Sequence, residues 1–371
     1  MMIILEESRG GIRMCKENGI GLISKYIQTS GGLEAVGREV KQFGKRAFII
    51  GGQTALGVSF DKIEQSLKSE EIDYKVHIFS GYCTIAQINR IGEEANEFNA
   101  NVIIGIGGGK VLDIAKAAAD IFSKKIVTVP TTAAQCAGYS SFSVIYSDDG
   151  VVLDNMLLKH KVDCVIIDTN IIAKKCPSRM LAAGIGNGMA MYPEIQFRMS
   201  SCLKLNKSSS MSLAMQMVKF TWNKYIEMSR KAVNDVNNNC NSQEVEDTVC
   251  ANIVLTGMAS SLANSGNQLA IAHYFYNCIT KYFKEQQAKF FYGELVSLGV
   301  LLQMKINGCS NAEIEQYKSF LRSINLPITL RDIQLDATEK NLRIIGEYIA
   351  SKIKCGEEDK KLIWNSMQSM W

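Results

Sequence analysis

The chain of 371 residues has the composition of a soluble globular protein, with 47% hydrophobic and 21% charged residues. At about 100 to 200 residues per domain, this length predicts two domains. The formal net charge is only +4 and no block of basic residues occurs, which argues against a nucleic-acid partner and against a polybasic membrane anchor. The sequence contains no continuous run of about eighteen apolar residues, the length that predicts a membrane-spanning helix.

The eleven cysteines predict free thiols rather than a disulfide framework, because they are scattered from Cys15 to Cys355, are odd in number and never form C-x-x-C. The opening segment MMIILEESRGG lacks the charged start and the long apolar stretch of a secretory signal. Both features predict a cytoplasmic protein. The three histidines, His77, His160 and His273, leave few imidazoles for a metal site or a catalytic triad.

The first half of the chain alternates predicted strands and helices. Short apolar runs rich in β-branched residues predict strands over 46–52, 74–79, 101–109, 125–130 and 163–168. Apolar residues at helical spacing predict helices over 57–68, 86–97 and 110–122. This order predicts an α/β domain in which crossover helices connect the strands of a parallel sheet.

The pattern changes at Pro177, after which long helical periodicities dominate. These predict helices over 179–192, 209–231, 244–264, 291–306, 312–323 and 338–354. The second half is therefore predicted to be an all-α domain. We place the boundary near Cys176 and Pro177, which gives domains of residues 1–176 and 177–371.

The glycine-rich segment NVIIGIGGGKVLDIAKAAAD (101–120) is the most informative local signal. An apolar strand leads into Gly105 and then into three consecutive glycines, Gly107 to Gly109, directly before a helix. Such a turn lets the backbone approach a ligand closely, and the helix dipole and Lys110 both favour a phosphate. The turn departs from G-x-G-x-x-G and follows the third predicted strand, so a purely structural turn stays open beside pyrophosphate binding.

Six segments in order resemble the glycerol dehydrogenase branch of the iron- or zinc-dependent (group III) alcohol dehydrogenase family. They are GIGGGKVLDIAK, VPTTAAQCAGYSSFSVIY, GIGNGMAMYPE, LAIAHYFYN, YGELVSLG and LPITLRDI. The resemblance spans most of the chain. It implies a dehydroquinate synthase-like fold, in which a dinucleotide-binding domain and a helical domain enclose a cleft. It also implies hydride exchange between an alcohol and a nicotinamide cofactor, and a homo-oligomer.

The positions that bind the cofactor in this family are well kept. The resemblance implies that the phosphate loop is Gly107, Gly108, Gly109 and Lys110. It implies that the adenine and nicotinamide pockets are lined by Thr131, Thr132, Ser140, Val144 and Tyr146. Asp113 and Lys116 match as well, although an acid and a base three residues apart on a helix are equally typical of a packing pair.

The choice between NAD and NADP is open from the sequence. Relatives that prefer NAD place an acid for the ribose 2′-hydroxyl after the first long strand, where this chain has Gly51, Gly52 and Gln53. No carboxylate there would repel a 2′-phosphate, and Lys45 and Arg46 could attract one, although basic residues before a strand are usually just solvated. The resemblance slightly favours NAD.

The metal positions of the family are changed. Its aspartate and two histidine ligands correspond to Asn187, His273 and Tyr292. A divalent ion needs anionic or imidazole donors, and a neutral amide and a phenol of pKa about 10 replace them poorly. We therefore expect zinc or iron to bind weakly or not at all.

The substrate positions are also changed. Cys136 replaces the aspartate that faces the substrate, and Tyr276 replaces a second histidine. The segment FSGYCT (79–84) is similar to the branch's glycine-glutamate-cysteine-serine turn, with Tyr82 in place of the acid. We expect Cys136 and Asn187 to line the substrate pocket. Cys136 fits an inert small side chain better than a nucleophile, and the tyrosines could simply fill volume.

These residues predict an NAD(P)-dependent oxidoreductase that acts without the family metal on a small hydroxy or carbonyl compound. His273, Tyr276 and Tyr292 are the candidate catalytic residues, because an imidazole and phenol hydroxyls could donate protons or hydrogen bonds to the reacting oxygen. Two alternatives stay open, namely a non-catalytic nucleotide-binding homologue and a biosynthetic enzyme that uses NAD transiently.

Overall fold

The structure is a computed structural model that describes residues 22–200, 208–263, 269–353 and 357–370. The opening segment, which lacks the pattern of a secretory signal, lies outside the described residues. So do residue 264 and residue 354, the last residues of two predicted helices.

The described residues contain a six-stranded parallel sheet and a separate hairpin. The strands are β1 (Lys25–Thr29), β2 (Arg46–Gly51), β3 (Asp73–Ile78), β4 (Val102–Gly107), β5 (Lys125–Pro130), β6 (Phe142–Tyr146), β7 (Val152–Leu157) and β8 (Cys164–Asp168). The sheet has the order β1-β8-β5-β4-β2-β3, and β6 pairs with β7 in antiparallel orientation. The predicted parallel sheet is therefore confirmed.

Helices cover both faces of the sheet, which is why its central strands are apolar without alternation. They are α1 (Val36–Lys41), α2 (Gln53–Ser69), α3 (Ile85–Glu97), α4 (Gly109–Ile121) and α5 (Thr169–Lys175). Phe48 and Ile50 of β2 pack in the cluster that contains α3 and α4 residues. Ala47 and Ile49 point to the opposite face, where they pack in a cluster with α2 residues.

All five predicted strands are confirmed within two residues at each end, whereas β1, β6 and β7 were missed. Strand β1 lies at the edge of the sheet and is only partly buried, so it carries a weak apolar signal. The exposed Leu153 and Leu157 of β7 obscure the alternation that would predict a strand.

The chain after Pro177 is helical, as predicted. Its helices are α6 (Ser178–Ser200), α7 (Ser209–Asn237), α8 (Gln243–Cys250), α9 (Thr256–Leu262), α10 (Ile271–Tyr282), α11 (Lys284–Lys289), α12 (Tyr292–Ile306), α13 (Asn311–Ser323), α14 (Glu339–Ile353) and α15 (Glu357–Met370). The helix predicted over 244–264 is divided by a π-helix at Ala251–Leu255. The division into domains at Cys176 and Pro177 stays a prediction. None of the described helices is long and apolar enough to span a membrane.

Helices α6 and α12 cross at very close range because glycines lie at the contact. A β-carbon on Gly293 would lie 1.7 Å from the Ala183 carbonyl oxygen, and one on Gly186 would lie 2.7 Å from the Gly293 carbonyl oxygen. Only glycine permits backbones to approach this closely. The crossing brings Asn187 of α6 and Tyr292 of α12 to the same pocket.

We expect Gly293→Ala to lower the free energy of unfolding by about 1 to 3 kcal/mol, because the added methyl group overlaps the backbone of α6. Denaturant-induced unfolding followed by circular dichroism measures the change. Gly57→Ala is the matched control, since a β-carbon on Gly57 in α2 meets nothing within 4 Å. Equal stability of the two variants would contradict the close crossing.

Candidate active site

The glycine-rich turn forms an open cradle at the start of α4. Gly107 has φ +151°, a backbone conformation that favours glycine. Gly108 precedes the helix in an extended conformation and provides no side-chain cap. A β-carbon on Gly108 would meet only Thr132 Oγ1, at 3.5 Å, so this position faces open space. The cradle has room for an anion at the helix N-terminus.

The cradle opens into a cleft of about 820 Å³ that lies between the carboxyl end of the sheet and the helical region. Seven of the nine predicted cofactor residues line this cleft, namely Gly107, Gly108, Gly109, Lys110, Thr131, Thr132 and Tyr146. Ser140 and Val144 line a neighbouring cavity instead. A cleft of this volume is large enough to hold a dinucleotide.

Lys110 lies at the cleft beside an aromatic pair. Its Nζ is 4.1 Å from the ring centroid of Tyr82, and Tyr82 packs against Tyr146 with ring centroids 5.4 Å apart. Partial desolvation lowers the pKa of Lys110 from its ordinary value. Tyr82, which replaces an acid of the family, therefore orients this cation by a cation–π contact rather than by an ion pair.

Asp113 and Lys116 form a buried ion pair that organises the segment before β6. Lys116 Nζ lies 3.2 Å from Asp113 Oδ1 and donates to Ser140 Oγ at 2.8 Å and to the Phe142 carbonyl at 2.5 Å. Lys116 is 1% exposed. Of the two interpretations left open, this geometry favours a packing role for Lys116. It also explains why Ser140 is turned away from the cleft.

A second cavity, here called the inner pocket, has a volume of about 410 Å³. It brings together all the predicted catalytic and substrate residues, namely Cys136, Asn187, His273, Tyr276 and Tyr292. Tyr276, Tyr292 and Gln135 line both the inner pocket and the cleft. These three residues therefore form the partition at which the two cavities meet.

The two tyrosines of the partition pack against each other, and one of them packs against His273. The rings of Tyr276 and Tyr292 meet edge to face with centroids 4.5 Å apart, and the His273 ring lies 5.9 Å from that of Tyr292. Burial raises the pKa of Tyr276 to about 12 and that of Tyr292 well above its usual range. Both phenols are thus protonated near neutral pH and can donate hydrogen bonds.

Cys136 faces the same pocket as a protonated thiol. Burial raises its pKa to about 11, so the nucleophilic thiolate is scarce near neutral pH. This is the chemistry expected of an inert small side chain.

Glu194 is a functional residue that the sequence argument missed. It is fully buried on α6, and its Oε2 lies 2.6 Å from His273 Nδ1 on α10. Its Oε1 accepts the backbone N–H groups of Ala270 and His273 at 2.8 and 3.0 Å. The carboxylate therefore fixes the imidazole and stabilises the start of α10. Glu194 is the last residue of the segment GIGNGMAMYPE, but nothing in the sequence pairs it with His273.

The residues at the family's metal positions do not fit a divalent ion. Asn187 offers a neutral amide, Tyr292 is a protonated phenol, and His273 directs Nδ1 to Glu194. Within the described ranges, no cluster of three or more His, Cys, Asp or Glu side chains could hold a metal ion.

The suggestion that Lys45 and Arg46 attract a 2′-phosphate is wrong. Lys45 precedes β2 and Arg46 begins it. Gly52 and Gln53, which line the cleft, follow the opposite end of this strand. Lys45 lies 3.7 Å from Glu71, and the Arg46 guanidinium lies 3.4 Å from Asp73. Parallel strands of six residues span about 20 Å, which places these cations far from the cofactor end.

Comparison with known proteins agrees with this architecture. The profile of the iron-containing alcohol dehydrogenase family matches residues 24–169. The sequence is 32% identical over 316 residues to a glycerol dehydrogenase of Pseudomonas putida. This alignment covers 85% of this chain and 84% of the relative. A probable glycerol dehydrogenase of Sinorhizobium meliloti aligns with a TM-score of 0.80 at 25% identity over 95% of this chain and 97% of that one. The glycerol dehydrogenase of Schizosaccharomyces pombe shares the fold, with a TM-score of 0.84, 22% identity and coverage of 96% and 91%.

The chain therefore belongs to the iron-containing alcohol dehydrogenase family and is an oxidoreductase. Within that family it is similar to the glycerol dehydrogenases. The predicted family, fold class and enzyme class are confirmed.

We expect Glu194→Gln to lower the free energy of unfolding by about 1 to 3 kcal/mol, because the amide cannot replace a buried carboxylate that accepts from His273 and from the start of α10. Urea denaturation measures the change. Glu227→Gln is the control, since this exposed glutamate pairs only with Lys224 at the surface and should change stability by less than about 0.5 kcal/mol. Equal effects would show that Glu194 does not stabilise the site.

Proposed function

We propose that the chain is an NAD-dependent oxidoreductase that interconverts a small alcohol and its carbonyl compound without a metal ion. The observation that carries this proposal is the partition, where two protonated phenols and Gln135 separate a dinucleotide-sized cleft from an inner pocket that His273 lines. The curated relatives named glycerol dehydrogenase support the reaction class.

The cleft fits a nicotinamide cofactor. Gly107 to Lys110 would hold the pyrophosphate, because the turn offers close backbone approach, a helix N-terminus and a cation. A bound nicotinamide supplies or accepts the hydride of the reaction. Gln53 lines the cleft after β2, where the resemblance implies the cofactor ribose, and the cations at 45 and 46 lie at the far end of β2, which supports NAD over NADP.

His273 would move the proton. Because Nδ1 is held by Glu194, Nε2 is the ring nitrogen left for the substrate oxygen. In carbonyl reduction, the carbon gains a hydride and the oxygen gains the Nε2 proton, so the product is the alcohol. Glu194 stabilises the imidazolium before transfer, as a buried carboxylate does in other acid–base pairs. Alcohol oxidation is the reverse.

The phenols would stabilise the reacting oxygen, as a metal ion does elsewhere in the family. Negative charge develops on the carbonyl oxygen as the hydride is transferred, and buried hydrogen-bond donors stabilise such charge strongly. Tyr276 and Tyr292 are protonated and line both cavities, which supports their hydroxyls as the donors to that oxygen. Catalysis by His273 and two tyrosines therefore needs no Lewis acid.

We also propose a cytoplasmic homo-oligomer with a small-molecule substrate. Eight cysteines in the described part of the chain are free thiols, which is typical of a reducing compartment. The family resemblance supports the oligomer.

We expect Gly108→Ala to weaken NAD binding by at least about tenfold, equivalent to about 1.4 kcal/mol, because its methyl group would occupy the cradle. Isothermal titration calorimetry with NAD and NADP measures affinity, and the thermal unfolding midpoint reports folding. Gly57→Ala serves as the control. Unchanged NAD affinity in folded Gly108→Ala protein would contradict the assigned cradle.

We expect reduction of small aldehydes and ketones by NADH to persist after treatment with a chelator, and His273→Ala to lower kcat by about a hundredfold or more. The absorbance of NADH follows turnover. His160→Ala is the control, because His160 is an exposed residue beside Asp120. Loss of activity with the chelator and its recovery with zinc or iron would refute metal-free catalysis. Full activity of His273→Ala would refute the proton-transfer role.

A further inference from the structure

The wall of the cleft, as far as the structure describes it, contains cations and no anion. Three of its described residues are lysines, namely Lys110, Lys175 and Lys289, and none is Asp or Glu. Lys110 directly follows the glycines of the cradle. It forms no ion pair with any residue in the described ranges. The charge of Lys110 is therefore available to an anion that binds in the cradle.

The ring of Tyr82 is the contact that fixes Lys110 beside the cradle. Lys110 Nζ lies 4.1 Å from the ring centroid, which is within the range of a cation–π interaction. A free lysine side chain loses rotamer entropy when a ligand immobilises it, and a contact made in advance reduces that cost. Unlike a carboxylate, the ring provides this contact without neutralising the charge.

Tyr82 is itself confined by the turn between β6 and β7. Its ring packs against that of Tyr146, with centroids 5.4 Å apart, and lies against the backbone of Gly150. Gly150 has φ +80°, and a β-carbon there would overlap Tyr82 Cζ. A side chain at position 150 would therefore push the ring of Tyr82 away from its present position.

The helical region holds this turn in place. The Gly150 carbonyl accepts Gln287 Nε2 at 2.6 Å. Lys284 Nζ donates to the Asp149 carbonyl at 2.9 Å and lies 3.2 Å from Asp149 Oδ2. Both Gln287 and Lys284 belong to α11. A continuous series of contacts therefore leads from α11 through the turn to the aromatic ring beside the cradle.

We propose that Tyr82 is a positioning residue for the cofactor, which holds Lys110 where the pyrophosphate binds and is itself held by Gly150. This proposal rests on the proposed function in taking the cradle as the pyrophosphate site. Tyr82 acts through Lys110 and needs no contact with the cofactor. It therefore sets the affinity for the cofactor and leaves the hydride-transfer step unchanged.

The first test measures the affinities for NAD and ADP by calorimetry, because ADP carries a diphosphate without the nicotinamide. We expect Tyr82→Leu to raise the Kd of both ligands by about threefold to tenfold, since it removes the cation–π contact. Tyr82→Phe keeps the ring and should stay within about twofold of the parent. In turnover assays, Tyr82→Leu should raise KM for NADH by the same factor and keep kcat near the parent value.

A double-mutant cycle identifies the partner of Tyr82. In a Lys110→Met background, Tyr82→Leu should change the Kd of NAD by less than about twofold, because no cation is left to hold. Loss of affinity by the same factor in both backgrounds would overturn the proposal. So would unchanged affinity in Tyr82→Leu, or an equal loss in Tyr82→Phe.

Tyr282→Leu is the matched control for the loss of a ring. Lys281 Nζ lies 5.0 Å from the centroid of the Tyr282 ring, so this tyrosine has a similar contact with a lysine. Neither residue lines the cleft. The control should therefore keep the parent's affinity for NAD, and a loss equal to that in Tyr82→Leu would count against a specific role for Tyr82.

The role of the turn is tested with Gly150→Ala and its control Gly308→Ala. The two glycines have φ +80° and +81°, but a β-carbon on Gly308 meets nothing within 4 Å. Gly150→Ala should weaken NAD binding by about threefold to tenfold, and Gly308→Ala should not. The effect should vanish in the Tyr82→Leu protein, and the thermal unfolding midpoint reports folding of each variant. Equal effects of the two alanine variants, or an effect that persists without the ring, would overturn the link between the turn and Lys110.

Binding of ADP separates this proposal from the proposed function. ADP binding that depends on both Tyr82 and Lys110, in a protein that reduces no aldehyde or ketone, would support the positioning role and count against the proposed function. Turnover with a KM for NADH that Tyr82→Leu leaves unchanged would overturn the positioning role and leave the oxidoreductase function standing.

Discussion

The close crossing of α6 and α12 is the constraint on which the active site depends. Gly293 contacts the backbone of Ala183, and Gly186 contacts Gly293 in turn, so the two helix axes cannot move apart without losing this packing. Asn187 follows Gly186 in α6, and Tyr292 precedes Gly293 in α12. A side chain at the crossing would separate them and open the partition between the cleft and the inner pocket.

Two buried charges, Glu194 and Lys116, also hold the segments that line the cavities in place. Glu194 is fully buried, and desolvation of a carboxylate is costly unless charged or polar groups compensate it. Three donors do so here, from Ala270 and His273. Lys116 is compensated in the same way by Asp113 and by oxygens before β6. Both networks fix segments that line the cavities, so the site is organised before any ligand binds.

The site combines a glycine-rich cradle that resembles the family's with side chains that differ from the family's at two metal positions. The glycine turn and its cation keep the features that bind a pyrophosphate, whereas a phenol and an amide stand at two metal positions. These changes replace metal-ligating side chains of the family by an amide and a phenol, and burial keeps the Tyr292 phenol protonated.

The sequence by itself determined the parallel sheet, the helical second half and the glycine cradle, because these depend on local periodicity and on glycine's conformational freedom. Ordered motifs in the sequence also identified His273, Tyr276 and Tyr292 as candidate catalytic residues. Only the tertiary structure paired Glu194 with His273 and brought Lys116 to Ser140 and Phe142, since these contacts join residues far apart in the chain and leave no periodic signal. It likewise decided that Lys45 and Arg46 lie away from the cleft, because proximity in the chain does not tell which end of a strand faces a ligand.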